Sequence, residues 1–177
     1  MKKKDIDKIN LTELSKFITN EESKGFFLEE AGKEHYKLLA YLSKSQNGIT
    51  ISDIGTFRGC SALALAYNKK NKVISYDISN SKTLNGYPEN IQFVVTDDAI
   101  LGDVIESKII FVDVMHDGVY EGIIIDFLTE YEYKGIVVFD DIHLNAEMIK
   151  FWNGIDQRKE DITSVGHWSG TGIVYFE

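Results

Sequence analysis

The chain has 177 residues, enough for one domain with a sizeable core. With 44% hydrophobic residues and a single proline, it is neither disordered nor low in complexity. Its formal net charge of −9 argues against non-specific binding to nucleic acid or to an anionic membrane, whose phosphates would be repelled over most of the surface. Cys60 is the only cysteine, which excludes an intramolecular disulfide and a cysteine-rich zinc site. The basic start, Met1 to Lys4, is followed by no apolar run, and no segment approaches transmembrane length. A cytoplasmic location is the expectation, with the three N-terminal lysines solvated and disordered.

Residues 10–20 carry an amphipathic pattern (Leu11, Leu14, Phe17, Ile18) that predicts a short helix. A second helix is predicted over 26–43, where Phe27, Ala31, His35, Leu38, Leu39 and Leu42 recur at helical spacing, and Asn47-Gly48 stops it. The first strand covers 49–54, a helix 60–69, the second strand 73–77, and a short helix or loop 79–88. Strand three follows at 91–95, then a short helix over 98–105. The continuous apolar run within 108–113 predicts a strand buried on both faces. A helix over 119–132, a strand over 135–139 ending at Asp140-Asp141, and a helix over 144–156 come next. Two last strands, 162–165 and 172–176, are joined by Gly166-His-Trp-Ser-Gly170, short enough for antiparallel pairing.

This alternation predicts an α/β fold: a Rossmann-like, doubly wound sheet with helices on both faces and ligands at the carboxyl ends of the strands. The expectation is a single domain, 1–177, with 1–45 as a helical cap on a core of 46–177. The richest stretch is Asp53-Ile-Gly55-Thr56-Phe57-Arg58-Gly59-Cys60-Ser61, a glycine-bearing turn between the first strand and its helix. Such a turn makes a site for a polar or anionic ligand group. About twenty residues on, the second strand ends in Asp77, which can accept hydrogen bonds from the two hydroxyls of a ribose. A nucleoside-containing cofactor is therefore expected.

Carboxylates stand at nearly every predicted strand end: Asp53, Asp77, Asp97 or Asp98, Asp113 and Asp140-Asp141. Each alone reads equally well as a helix cap or loop starter. Their recurrence points to one acidic crevice suited to a cationic ligand or a divalent metal.

On these residues the chain resembles a class I S-adenosylmethionine-dependent methyltransferase. It is nearest the catechol and caffeoyl-CoA O-methyltransferase branch, where the middle glycine of D-x-G-x-G-x-G is an aromatic residue, here Phe57. The resemblance runs from about residue 30 to the end. It implies a seven-stranded sheet, mostly parallel, with the last strand antiparallel. It also implies that Asp53, Gly55, Thr56, Phe57, Gly59, Ser61, Asp77, Ile78, Asp97, Asp98 and Asp113 form the S-adenosylmethionine site. In that pattern Gly55 and Gly59 admit the methionine end, Ser61 holds its carboxylate, Asp77 the ribose, and Asp97 or Asp98 the adenine. The rival cofactor, a nicotinamide dinucleotide, needs G-x-G-x-x-G, which the chain lacks.

The segment Asp113-Val-Met-His116-Asp117 resembles the family's Asp-x-x-Lys-Asp, with His116 in the place of the lysine that takes the acceptor's proton. Asp113 and His116 are thus the catalytic candidates, and histidine suits a general base near neutral pH. A loop histidine bonding a backbone carbonyl is the plainer alternative. The resemblance also implies one divalent ion, Mg²⁺ or another hard cation, on Asp113, Asp140 and Asp141. Asp141 replaces the family's asparagine, so the three carboxylates either hold a metal or share a proton.

His143 either points into the same crevice or caps the helix after it, and His35 reads as a core or cofactor-edge histidine. Phe57, Tyr120 and Trp152 read as core or as packing for a flat ligand, His167-Trp168 as a substrate-entry feature, and Cys60 as a small packing residue. The expected activity is methyl transfer to a hydroxyl of a small-molecule substrate. A sensor or subunit that binds the cofactor without transfer is the alternative. Transfer to a protein or nucleic-acid acceptor is a third reading; the acidic charge disfavours nucleic acid, and the lack of an Asn-Pro-Pro-Tyr-like segment after the fourth strand disfavours amino-group methylation. Little chain remains for a substrate pocket, so the substrate is large, the first forty residues close over it, or a second copy in a homo-oligomer completes the site.

Overall fold

A computed structural model of the chain describes residues 1–96 and 104–177. In order these form α1 (Lys3–Ile6), α2 (Thr12–Ser15), α3 (Glu21–Leu28), α4 (Tyr36–Lys44), β1 (Thr50–Ile54), α5 (Cys60–Leu65), β2 (Lys72–Asp77), β3 (Ile91–Val95), β4 (Ile109–Val112), α6 (Val119–Glu130), β5 (Gly135–Asp140), α7 (Ala146–Gly154), β6 (Lys159–Asp161), a 3₁₀ turn (Thr163–Val165) and β7 (Thr171–Phe176). The seven strands make one sheet of order β3-β2-β1-β4-β5-β7-β6. All pairs from β3 through β5 are parallel, and β7 runs antiparallel to both its neighbours. This is the expected Rossmann-like sheet. Strand order reverses between β1 and β4, which opens a crevice beyond their carboxyl ends.

The sheet is covered on both faces, and the central strands show why their sequences are continuously apolar. Ile109 and Phe111 of β4 point to the face packed by α4, α5 and the N-terminal segment, while Ile110 and Val112 point to the face packed by α6 and α7. In β5, Val138 joins the first face and Val137 and Phe139 the second.

Several boundaries differ from the sequence reading. The predicted helix over 10–20 is only the single turn α2, after which Ile18 pairs with Leu84 in an isolated bridge. The predicted helix over 26–43 is two helices, because Gly32 adopts φ +89 and its N–H donates to the Gly166 carbonyl at 3.0 Å. That contact pulls residues 29–35 out of helix and onto the loop before β7, while the i, i+4 spacing of Phe27, Ala31 and His35 persists across the break.

The sixth strand lies earlier than predicted. Asp161 accepts from both the N–H and the hydroxyl of Thr163, a local turn that ends the strand and leaves 163–165 in a 3₁₀ turn. The antiparallel pairing with β7 is as expected, with Asp161 opposite Gly172. Of the two alternatives for residues 79–88, helix or loop, the structure takes the loop. The predicted helix over 98–105 falls mostly outside the described residues. The N-terminal lysines are not a disordered tail: Lys3 and Lys4 lie in α1, anchored by the fully buried Ile6, and Lys3 pairs with Glu30 at 3.1 Å.

Gly172 lies under the indole of Trp152, where a Cβ would come within 2.5 Å of the ring. Alanine ordinarily improves a strand interior. Here Gly172→Ala is expected to destabilise the fold by about 1–3 kcal/mol through overpacking. Urea unfolding measures this, and a stabilised variant would mean that the indole moves aside freely.

Candidate functional site

The turn after β1 is built on a buried polar network. Asp53 is fully buried, and its Oδ2 accepts from Ser75 Oγ at 2.6 Å and Ser61 Oγ at 3.0 Å. Ser75 in turn bonds Thr56 Oγ1 at 2.5 Å. Asp53, Ser61 and Thr56 therefore brace the turn from beneath, and their side chains are committed to one another. Ser61 in particular turns its hydroxyl inward to Asp53 rather than toward a ligand. Above this network Gly55 adopts φ +101, and a Cβ there would overlap the Asp113 carbonyl oxygen, so β1 and β4 close on each other only with glycine at this position. Gly59, at φ +90, sits beneath Leu84, and a Cβ would come within 2.7 Å of that side chain.

Asp77 closes the turn. Its Oδ2 accepts from the Phe57 N–H at 2.6 Å, and its Oδ1 accepts from the Ser79 N–H at 2.9 Å. A cleft of about 580 Å³ opens at the switch point between β1 and β4, lined among others by Gly55, Phe57, Asp77, Ile78, Asp113 and His116. Phe57 and Ile78 are exposed on its rim, and Tyr120 also lines it. The structure thus brings together Gly55, Phe57, Asp77, Ile78 and Asp113 from the sequence-predicted cofactor set. Asp97 and Asp98 lie outside the described residues.

His116 stands on the far wall of the cleft at φ +54. Its strained backbone is held by Glu121, whose two oxygens accept from the His116 and Gly118 N–H groups at 2.9 Å each. Asn145 Nδ2 donates to the His116 carbonyl at 2.8 Å. The imidazole Nε2 lies 3.1 Å from Asp113 Oδ1 and 3.3 Å from Asp141 Oδ2. The contact with Asp113 raises the His116 pKa above the ordinary value, outweighing the opposing effect of burial. The ring thus faces carboxylates, not the backbone carbonyl of the plainer sequence reading.

Behind this wall a second group meets at the end of β5. Asp140, buried, lies 3.0 Å through Oδ2 from His35 Nδ1 and 3.4 Å from His167 Nδ1. Thr171 Oγ1 donates to its Oδ1 at 3.3 Å. Asp141 accepts from Ser169 Oγ and lies 3.2 Å from His167 Nδ1. Burial works to raise the Asp140 pKa, but His35 and His167 outweigh it and hold the carboxyl below its usual range. Burial likewise works to lower the His167 pKa, and Asp140 and Asp141 overcome it and raise it to about 10.

The predicted trio Asp113, Asp140 and Asp141 does not gather on one point. Asp113 reaches Asp141 through His116, and Asp141 meets Asp140 through His167. Among the described residues, the group whose ligand atoms converge is His35, Asp140 and His167, all within 4.8 Å of one another.

His35, read from the sequence as a core or cofactor-edge histidine, is buried against Asp140. Glu34, Glu121, Ser75 and Ser169 carried no motif at all. His143 does not enter the crevice: its Nε2 bonds Asp161 at 2.8 Å, and Asn145 is the helix cap. Trp152 is core, Trp168 is exposed, and burial pushes the Cys60 thiol up to about 12, leaving it a neutral packing group.

No protein-family model and no curated protein matches the chain. Solved structures do. The SAH-bound methyltransferase PaMTH1 of Podospora anserina aligns at 16% identity and a TM-score of 0.60, over 80% of this chain and 77% of that one. An O-methyltransferase of Bacillus cereus in complex with SAH aligns at 14% identity and a TM-score of 0.55, over 80% of each chain. A methyltransferase of Geobacter sulfurreducens gives 16% identity and 0.57, over 80% and 78%. The chain has the Rossmann-like fold of the S-adenosylmethionine-dependent methyltransferases. No described helix is long and apolar enough to cross a membrane.

Burial raises the Asp53 pKa from 3.8 to about 7. Below about pH 4 the carboxyl is protonated whether the chain is folded or not. Between about pH 4 and 7 only the unfolded chain releases the proton, so folding stability falls as pH rises, and the loss is complete above 7. Asp53→Asn is expected to flatten this part of the stability profile. Urea unfolding at pH 5 and pH 8 tests it, and an unchanged pH dependence in the variant would assign the slope to other groups.

Proposed function

We propose that the protein transfers a methyl group from S-adenosylmethionine to a hydroxyl of a small molecule, assisted by a divalent cation at the carboxyl end of β5. The observation that carries this reading is the cleft itself, with Asp77 and the Gly55 turn on one side and His116 with Asp113 on the other. A Cβ-free backbone at Gly55 and a carboxylate at Asp77 fit a nucleoside whose ribose hydroxyls need an acceptor. The carboxylates of Asp77 and Asp113, which line the cleft, suit a cationic sulfonium.

In this reading Asp77 holds the ribose, and Phe57 and Ile78 pack on the cofactor and shield it from water. His116 is the general base. Its Nε2 is turned to Asp113 and Asp141, so the acceptor's proton goes to Nδ1 and the two carboxylates stabilise the resulting imidazolium. Glu121 and Asn145 keep the base at its station. A divalent cation held by the Asp140 group would supply positive charge behind the cleft wall, felt in the cleft through Asp141 and His116. Alignment in a dry cleft supplies the rest.

Calorimetric titration with S-adenosylmethionine and S-adenosylhomocysteine tests the first step. Micromolar binding is expected, weakened about 10- to 100-fold in Asp77→Ala through loss of charge-assisted hydrogen bonds. No binding of either nucleoside would remove the methyltransferase reading. With an acceptor in hand, His116→Gln is expected to lower kcat about 10²- to 10⁴-fold and leave cofactor affinity unchanged. Wild-type turnover in that variant would make the histidine structural.

A further inference from the structure

We propose that His35, Asp140 and His167 form a nitrogen-rich site for a borderline divalent metal of the Zn²⁺ class, rather than the all-carboxylate site for Mg²⁺ that the strand-end aspartates suggest. The inference rests on the reading that a cation works at the end of β5, and it changes which residues hold the ion and which ion they select. Asp140 Oδ2 lies 3.0 Å from His35 Nδ1 and 3.4 Å from His167 Nδ1. Two ligands about 2.1 Å from a common metal, at octahedral or tetrahedral angles, are about 3.0–3.4 Å apart. The two spacings about Asp140 are therefore those of ligands sharing an ion, and all three ligand atoms lie within 4.8 Å of one another.

The second observation is an orphaned atom. His35 is 4% exposed, and its Nδ1, although close to Asp140, makes no hydrogen bond among the described residues. A buried imidazole nitrogen 3.0 Å from a carboxylate, yet off the line of a hydrogen bond, is answered there by charge alone. His167 Nδ1 is over-subscribed instead, with Ser169 Oγ at 2.7 Å, Asp141 Oδ1 at 3.2 Å and Asp140 Oδ2 at 3.4 Å around one ring nitrogen. A single N–H serves one such partner well.

The surroundings are those of a ligand set. The other nitrogen of His167 lies 3.8 Å from Glu34 Oε1, too far for a hydrogen bond but close enough for the carboxylate's charge to act on the ring. Thr171 holds Asp140 through Oδ1, which leaves Oδ2 to face the histidines. Two imidazoles and one carboxylate favour zinc, iron, cobalt or nickel, whereas Mg²⁺ demands oxygen ligands and retains its waters. The three ligands come from the residue before α4, the end of β5 and the loop before β7, so the folded chain assembles the site.

The test uses the full chain after chelator treatment and dialysis, titrated calorimetrically with Zn²⁺ and with Mg²⁺, with thermal melting in parallel. One equivalent of Zn²⁺ is expected, at least about 100-fold tighter than Mg²⁺, with a raised Tm. His35→Asn and His167→Asn should each weaken Zn²⁺ binding about 10-fold or more, while His143→Asn, whose ring pairs with Asp161 outside the cluster, should not. Because His35 is buried and its variant could misfold, wild-type protein loaded with Co²⁺ gives a second readout: d–d bands much stronger than those of hydrated Co²⁺, as a four- or five-coordinate site gives and an octahedral oxygen-only site does not. No Zn²⁺ uptake by the wild type would overturn the proposal in favour of a metal-free imidazolium–carboxylate cluster. Equal affinity for Mg²⁺, or uptake unaffected by either folded histidine variant, would overturn it in favour of an oxygen-only site. Titrating S-adenosylhomocysteine into the same samples separates this inference from the cofactor reading, since Zn²⁺ uptake without nucleoside binding sinks only the latter, and the reverse only the former.

Discussion

A buried carboxylate has to be answered by charge and hydrogen bonds, and the end of β5 is organised around that requirement at Asp140. Its partners come from distant parts of the chain: His35 from the N-terminal helices, His167 and Thr171 from the segment entering β7. Satisfying this one side chain therefore docks the N-terminal segment and the final hairpin onto the same end of the sheet. The same contacts lie behind the cleft wall and are joined to it through Asp141 and His116. His35 packs against Phe111 at 5.1 Å between ring centroids, so the polar cluster is continuous with the core face of β4.

The front of the cleft follows a different rule. Ser61 and Ser75 both bond Asp53 Oδ2 and Thr56 bonds Ser75, which braces the turn after β1, while Asp53 Oδ1 has no hydrogen-bond partner among the described residues. What remains available to a ligand is the glycine backbone above them, the Asp77 carboxylate and the rim of Phe57 and Ile78. Residues that resemble cofactor contacts by position thus split into two roles, with one set shaping the turn and another facing the cleft. The division reflects burial: a polar side chain beneath the turn has no water to satisfy it and must find a neighbour.

His116 joins the two halves. It occupies a left-handed conformation that a non-glycine residue adopts only when its surroundings enforce it, and Glu121 and Asn145 supply that enforcement. Its imidazole bridges Asp113, on the cleft side, to Asp141, in the buried cluster. Any change of charge in the cluster is therefore felt at His116, which lines the cleft.

The alternation of apolar runs with amphipathic stretches determined the sheet, its parallel core and the antiparallel last strand, because strands covered on both faces must be apolar throughout and their connections must cross over. The glycine turn after β1 and the acidic ends of β2, β4 and β5 were legible for the same reason, since position at a strand's carboxyl end is a matter of local order along the chain. The break at Gly32, the early end of β6 and the structured N-terminus were not legible, because each depends on a partner far away in sequence: the Gly166 carbonyl, the register with β7, the core around Ile6. The histidine cluster belongs with these. His35 and His167 lie on either side of Asp140 only because a helix start and a hairpin loop meet over one strand end, and no spacing along the chain encodes that meeting.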